Sequence, residues 1–199
     1  MTRRRLAIYA AVSVAFFLAF AVACTPRQRD QLPSEASDAV PELLFRVRDE
    51  HLADNLFFDS SGLALRVPAG WSVSDGGADL LIGALGEEDD FDLGTVDLRI
   101  GPNDETLLIA EMDTGALPDD ADFSSDGVDH MQFTHNGVFF DQIREVTPTH
   151  IGFVLYAHLE SRDPLLISFA ALNPPSDTFT EIVESVLGSI EPISDEIAR

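Results

Sequence analysis

Lysine is absent from all 199 residues, and cysteine occurs once, at Cys24. Twelve arginines therefore face 35 aspartates and glutamates, for a formal net charge of −23 at neutral pH. A surface with that balance repels a phosphate backbone, which argues against nucleic acid as a partner, and it resists adsorbing to anionic headgroups. A single cysteine excludes an intrachain disulfide and any multi-cysteine metal site. The chain also lacks a Gly-Lys phosphate loop, G-x-S-x-G, H-E-x-x-H and G-x-G-x-x-G. Those motifs would have supplied a phosphate cradle, a nucleophile elbow, a zinc-binding pair or a dinucleotide turn. No catalysis and no cofactor are expected on these grounds.

What is present begins at the N-terminus. Arg3, Arg4 and Arg5 precede an apolar run from Leu6 to Phe20, and Ala21-Val22-Ala23 leads into Cys24. Basic residues, an apolar stretch and small residues before a cysteine resemble a bacterial lipoprotein signal, with Ala21 standing where leucine is usual. The expectation is a signal peptide over 1–23, a lipid on Cys24, and a domain facing the periplasm or cell exterior, held at the envelope membrane. An uncleaved anchor is the other reading: the eighteen residues Leu6 to Ala23 would extend about 27 Å as a helix, just enough to span. Either way the arginines hold the N-terminus inside and put the domain outside. Thr2-Arg3-Arg4-Arg5-Leu6 also resembles a twin-arginine signal, so both the general secretory and the folded-export routes stay open. Without the signal arginines nine basic residues face 35 acids, 9 minus 35 or −26.

Residues 24–37 carry Pro26, Pro33 and no apolar period, which predicts a tether, and 38–199 is of a size for one domain. Val40, Leu43, Leu44 and Val47 recur at helical spacing after Asp38 and predict a first helix. Leu63, Leu65 and Val67 alternate as a strand before Pro68-Ala69-Gly70-Trp71. Leu80–Leu85 suits a strand buried on both faces, Val96–Ile100 a half-exposed one, and Thr106–Met112 a short helix after Pro102-Asn103-Asp104-Glu105. Asn136-Gly137 predicts a tight hairpin between Met131–His135 and Val138–Asp141, and a second hairpin joins Ile151–Leu159 to Leu165–Ala171. Phe179, Ile182, Val183, Val186 and Leu187 form a helical stripe, with Thr178 and Glu181 as a capping box and Gly188 as a stop. The fold class expected is α+β, an antiparallel sheet flanked by helices and preceded by the signal helix.

Gly62 through Trp71, a strand running into Pro-x-Gly-Trp, resembles the opening of the Mog1/PsbP-like fold of bacterial DcrB-like and LpqN-like lipoproteins. The close is similar too: a strand, Asn173-Pro174-Pro175, then a helix ending in Ser189-Ile190. The resemblance covers Leu56 to Pro192 apart from Ala78 to Asp129. It implies a curved antiparallel sheet between helices and an accessory or adaptor domain, and it carries no catalytic residue across.

Two acidic stretches invite a cation. Asp122, Ser124 and Asp126, with Gly127, begin like an EF-hand loop, but the twelfth position is Phe133 where a bidentate glutamate belongs. Glu87 to Asp92 clusters carboxylates without a ligand spacing, and solvated turns account for both. His51, His130, His135, His150 and His158 fall at strand flanks or element ends, with no nucleophile tied to them by spacing. Trp71 suits either a core anchor or a ligand cleft. Two functions follow: an envelope accessory module that binds a protein partner, or a small-molecule binding protein or hydrolase whose cleft gathers Trp71, His130, His158 and nearby acids.

Overall fold

The computed structural model describes residues 43–85, 94–112, 128–160 and 162–193. The signal segment, Cys24, most of the tether-to-domain approach, the loop Glu87–Asp92, and Asp122, Ser124 and Asp126 lie outside the described residues. The described strands are β1 (Leu52–Phe58), β2 (Leu63–Pro68), β3 (Ser72–Ser74), β4 (Val96–Ile100), β5 (Thr106–Glu111), β6 (Val128–His135), β7 (Val138–Val146), β8 (His150–His158), β9 (Leu165–Leu172) and β10 (Glu191–Pro192). Two α-helices accompany them among the described residues, α1 (Gly77–Leu85) and α2 (Phe179–Gly188). The result is a mixed α+β fold made mostly of antiparallel sheet.

β3-β4-β5-β9-β8-β7-β6 form a seven-stranded sheet, and β1-β2-β10 a three-stranded one. Period-two alternation sends Leu107 and Ile109 of β5, Ile167 and Phe169 of β9, Phe153 and Leu155 of β8, and Phe140 of β7 to one face. There they meet Phe179, Val183, Val186 and Leu187 of α2 and Leu63, Leu65 and Val67 of the small sheet in one buried cluster. Each such side chain contributes about 1.5–3 kcal/mol when fully buried. The second face is covered too: Leu98, Leu108, Ile143, Tyr156 and Leu166 are buried, and Gly77 at the start of α1 lies against Val96 and Leu98 of β4.

Both hairpins form as expected. Asn136 and Gly137 take φ of 49° and 78°, the left-handed pair that a two-residue turn demands, and β8 pairs with β9 in unbroken register from His150↔Leu172 to Ala157↔Leu165. Trp71 is a core residue, its ring packed on Gly101.

Several local expectations need correction. Leu80–Leu85 belongs to α1, not to a strand; Leu81 is buried and Ile82 exposed, as one-sided packing of a helix on a sheet requires. A short apolar run does not itself separate the two cases. Thr106–Glu111 is a strand, not a helix. It sits between β4 and β9 with residues on both faces buried, so no alternation reports it. The helix-start signal before it yields only a 3-10 turn, Pro102–Asp104. The first helix is not formed over its described residues: Leu43–Arg48 has no regular structure, and Phe45 takes φ 50°. Thr178 has helical rather than extended φ/ψ and makes no side-chain cap on α2, and Glu181, the other half of the expected capping box, is turned to Arg48 and His51.

Candidate functional site

α2 presents two stripes. Phe179, Ile182, Val183, Val186 and Leu187 face the core, while Glu181, Glu184 and Ser185, spaced i, i+3 and i+4, form a polar edge beside them. Leu43–Arg48 runs along this edge as a strap. The N–H of Leu44 donates to Glu184 Oε1 at 2.9 Å, and the N–H of Arg48 donates to Ser185 Oγ at 3.1 Å. The Arg48 guanidinium reaches Glu184 Oε2 and Glu181 Oε1, each at 3.3 Å, and His51 Nε2 lies 3.1 Å from Glu181 Oε2. Glu184 is buried, so its charge requires these donors.

Between the Leu44 and Arg48 amide contacts the Phe45 ring sits over the β6–β7 hairpin. Its centroid is 4.9 Å from that of Phe133, 5.1 Å from that of His135 and 6.2 Å from that of Phe140. The positive φ of Phe45, rare for a bulky residue, costs of order 1–3 kcal/mol and persists only where side-chain contacts outweigh it. The Phe45 carbonyl approaches Gly188 so closely that an ideal β-carbon there would lie 2.4 Å from the oxygen. Glycine at 188 therefore answers a close approach; it is the last residue of α2 rather than a stop beyond it.

The histidines fall in different places. His130 on β6 pairs through Nε2 with Asp141 on β7, which also accepts from Gln132 Nε2 at 3.2 Å. Tyr156 lies across from Asp141 on β8, and His158 packs edge-on against Phe139 at 4.9 Å. This gives an oriented imidazole beside a carboxylate on the second face of the large sheet. Trp71 lies in the core on the first face. Trp71, His130 and His158 thus do not converge on one cleft. His51 belongs to the α2 clamp, and His135 stacks on Phe45. His150 Nδ1 is 2.7 Å from Thr149 Oγ1, and burial lowers its pKa.

An open cleft of about 290 Å³ lies where the small sheet, the Asn136 turn and the end of α2 meet, lined in part by Asn55, Arg66, Asn136, Ser189 and Glu191. Arg66, Asn136 and Ser189 are engaged internally. Arg66 donates to Asp49 and to the Ala53 carbonyl, its N–H donates to Ser189 Oγ, and Asn136 Nδ2 donates to the carbonyls of Gly188 and Ile190.

Two carboxylates missed by motif reasoning tie elements together. Glu111 accepts from Ser60 Oγ at 2.7 Å, from the Ser60 N–H at 3.2 Å and from the Thr95 N–H at 2.8 Å. Burial pushes its pKa up, and these donors outweigh that to leave it below the usual 4.5. Glu105, 1% exposed, accepts from the Ser176 N–H at 3.0 Å through one oxygen, and its other oxygen has no hydrogen-bond partner among the described residues. No group of three or more His, Cys, Asp or Glu residues placed to hold a metal occurs among the described residues. No helix among them is long and apolar enough to cross a membrane.

Fold and site together define a mixed α+β domain with a two-sided sheet and a strapped terminal helix. No protein-family model matches the chain, and no curated protein matches it in sequence.

Proposed function

We propose that the chain is an extracytoplasmic lipoprotein, held at the envelope membrane by a lipid on Cys24, whose domain works as an accessory interaction module. One observation carries the reading: the sole cysteine closes an apolar run that starts behind three arginines and ends in Ala-Val-Ala. The relationship to Mog1/PsbP-like, DcrB-like and LpqN-like proteins belongs to the same proposal. An antiparallel seven-stranded sheet whose one face shares a buried cluster with α2 supports it, as does Trp71 buried after its Pro-x-Gly turn.

The test is chemical crosslinking of the tagged protein in its own membranes, with mass spectrometry and a Cys24→Ser form as control. A stoichiometric partner that is lost in the control is expected. Full activity and unchanged partner capture by the unlipidated form would sink the reading. The 290 Å³ cleft favours the second reading, a small-molecule binder or hydrolase, which repeated failure to capture a partner would bring forward.

A further inference from the structure

Leu43–Arg48 lies on the domain as a bound peptide lies in a groove. It forms no helix and joins no sheet, and the described bonds of its Leu44 and Arg48 amides go to side chains of α2. Three features of the strap are recognised separately. Glu184 and Ser185 take the Leu44 and Arg48 amides, Phe133, His135 and Phe140 take the Phe45 ring, and Glu181 with Glu184 takes the Arg48 guanidinium. Leu44 points outward, 62% exposed, while Leu43 packs against the core cluster and a Val47 methyl lies beside Gly188, so binding rests on the aromatic ring, the arginine and the backbone, with Leu43 and Val47 adding apolar contact. The left-handed Phe45 is a conformation held only while the ring is seated.

From this we infer that the groove between α2 and the β6–β7 hairpin is a peptide-recognition site for a non-helical segment with arginine three residues after an aromatic. The strap occupies it in cis. A partner's segment of the same chemistry takes its place when the strap lifts, as in recognition of extended peptides by side-chain pockets. Charge complementarity favours this occupant: Glu181 and Glu184 rim the groove in a chain of net charge −23 that repels acidic competitors. Occupation in cis reduces the apparent affinity for a partner by the fraction of time the groove is open.

This site gives chemical content to the interaction-module reading and rests on it, yet its test runs in solution without the lipid, so failure here and failure of membrane anchoring are distinguishable. The chain from residue 24 onward, carrying Cys24→Ser, is titrated into a fluorescein-labelled peptide of residues Leu43–His51, alongside a Phe45→Ala/Arg48→Ala form. The altered strap should bind the peptide at least about tenfold more tightly than the unaltered one. A peptide with its own Phe45→Ala change should not bind. Equal affinities, no binding by either form, or a variant that no longer folds would each overturn the site. Hydrogen exchange on the unaltered strap gives a second reading. The Leu44 and Arg48 amides should exchange on the order of 100-fold faster than those of β8, as a locally opening unit does, and equal protection would overturn it.

Discussion

The carbonyl oxygen of Phe45 occupies the space that a side chain on Gly188 would need, 2.4 Å from an ideal β-carbon. Backbone meets backbone there, so neither side yields by rotating a side chain. Gly188→Ala should destabilise the domain by about 1–3 kcal/mol, the usual cost of overpacking. The loss should concentrate in the strap: urea denaturation would give the total, and exchange of the Leu44 and Arg48 amides would rise before that of β9. An alanine variant as stable as the parent would mean the strap is not seated on α2.

Gly137 offers the opposite case. An added β-carbon meets nothing within 4 Å, but φ is 78°. Gly137→Ala should therefore cost about 1–2 kcal/mol from backbone conformation alone, lowering Tm without altering strap exchange. The pair of glycine variants separates steric from conformational cost.

Glu111 joins the β1–β2 turn to the segment before β4, through Ser60 and Thr95. Its pKa is below 4.5 in the fold, so on acidification the unfolded chain takes up the proton first. The stabilisation is complete above about 4.5 and is lost as pH falls through the folded value. Glu111→Gln should lower the urea midpoint at pH 7, and the gap to the parent should close in acid. A gap that is the same at pH 7 and pH 3 would contradict the linkage.

Glu145 carries the reverse sign. Burial raises its pKa above 4.5, and its Oε2 has no hydrogen-bond partner among the described residues. Ionising it in the fold costs stability above the folded pKa, and the penalty vanishes below 4.5. Glu145→Gln should raise the midpoint at pH 7 and leave it unchanged near pH 4, as thermal melts at the two values would show.

Strong periodicity carried through to the structure. The stripe Phe179–Leu187 and the Asn136-Gly137 turn were legible because local chemistry and tertiary packing agree on them. Thr106–Glu111 and Leu80–Leu85 misled for one physical reason: a segment apolar all round shows no period, and its neighbours decide its form. Leu43–Arg48 misled for another. Its helical spacing is real, yet α2 offers Glu184 and Ser185 to the strap's amides, a competitor 137 to 140 residues away in sequence. Of the site, Glu181, Glu184 and Ser185 left a faint signal as a polar stripe beside an apolar one. Arg48 and His51 left none, since their partners are set by the fold.

The strap also decides how the domain bears load. A pull on the chain ahead of Leu43 meets the strap's amide and guanidinium contacts before any strand ladder, and those contacts lie along a single edge of α2. Loaded from that end they should yield one after another, ahead of the ladders of the seven-stranded sheet, so that the strap would act as a mechanical fuse, lengthening the connection by a few residues and sparing the core.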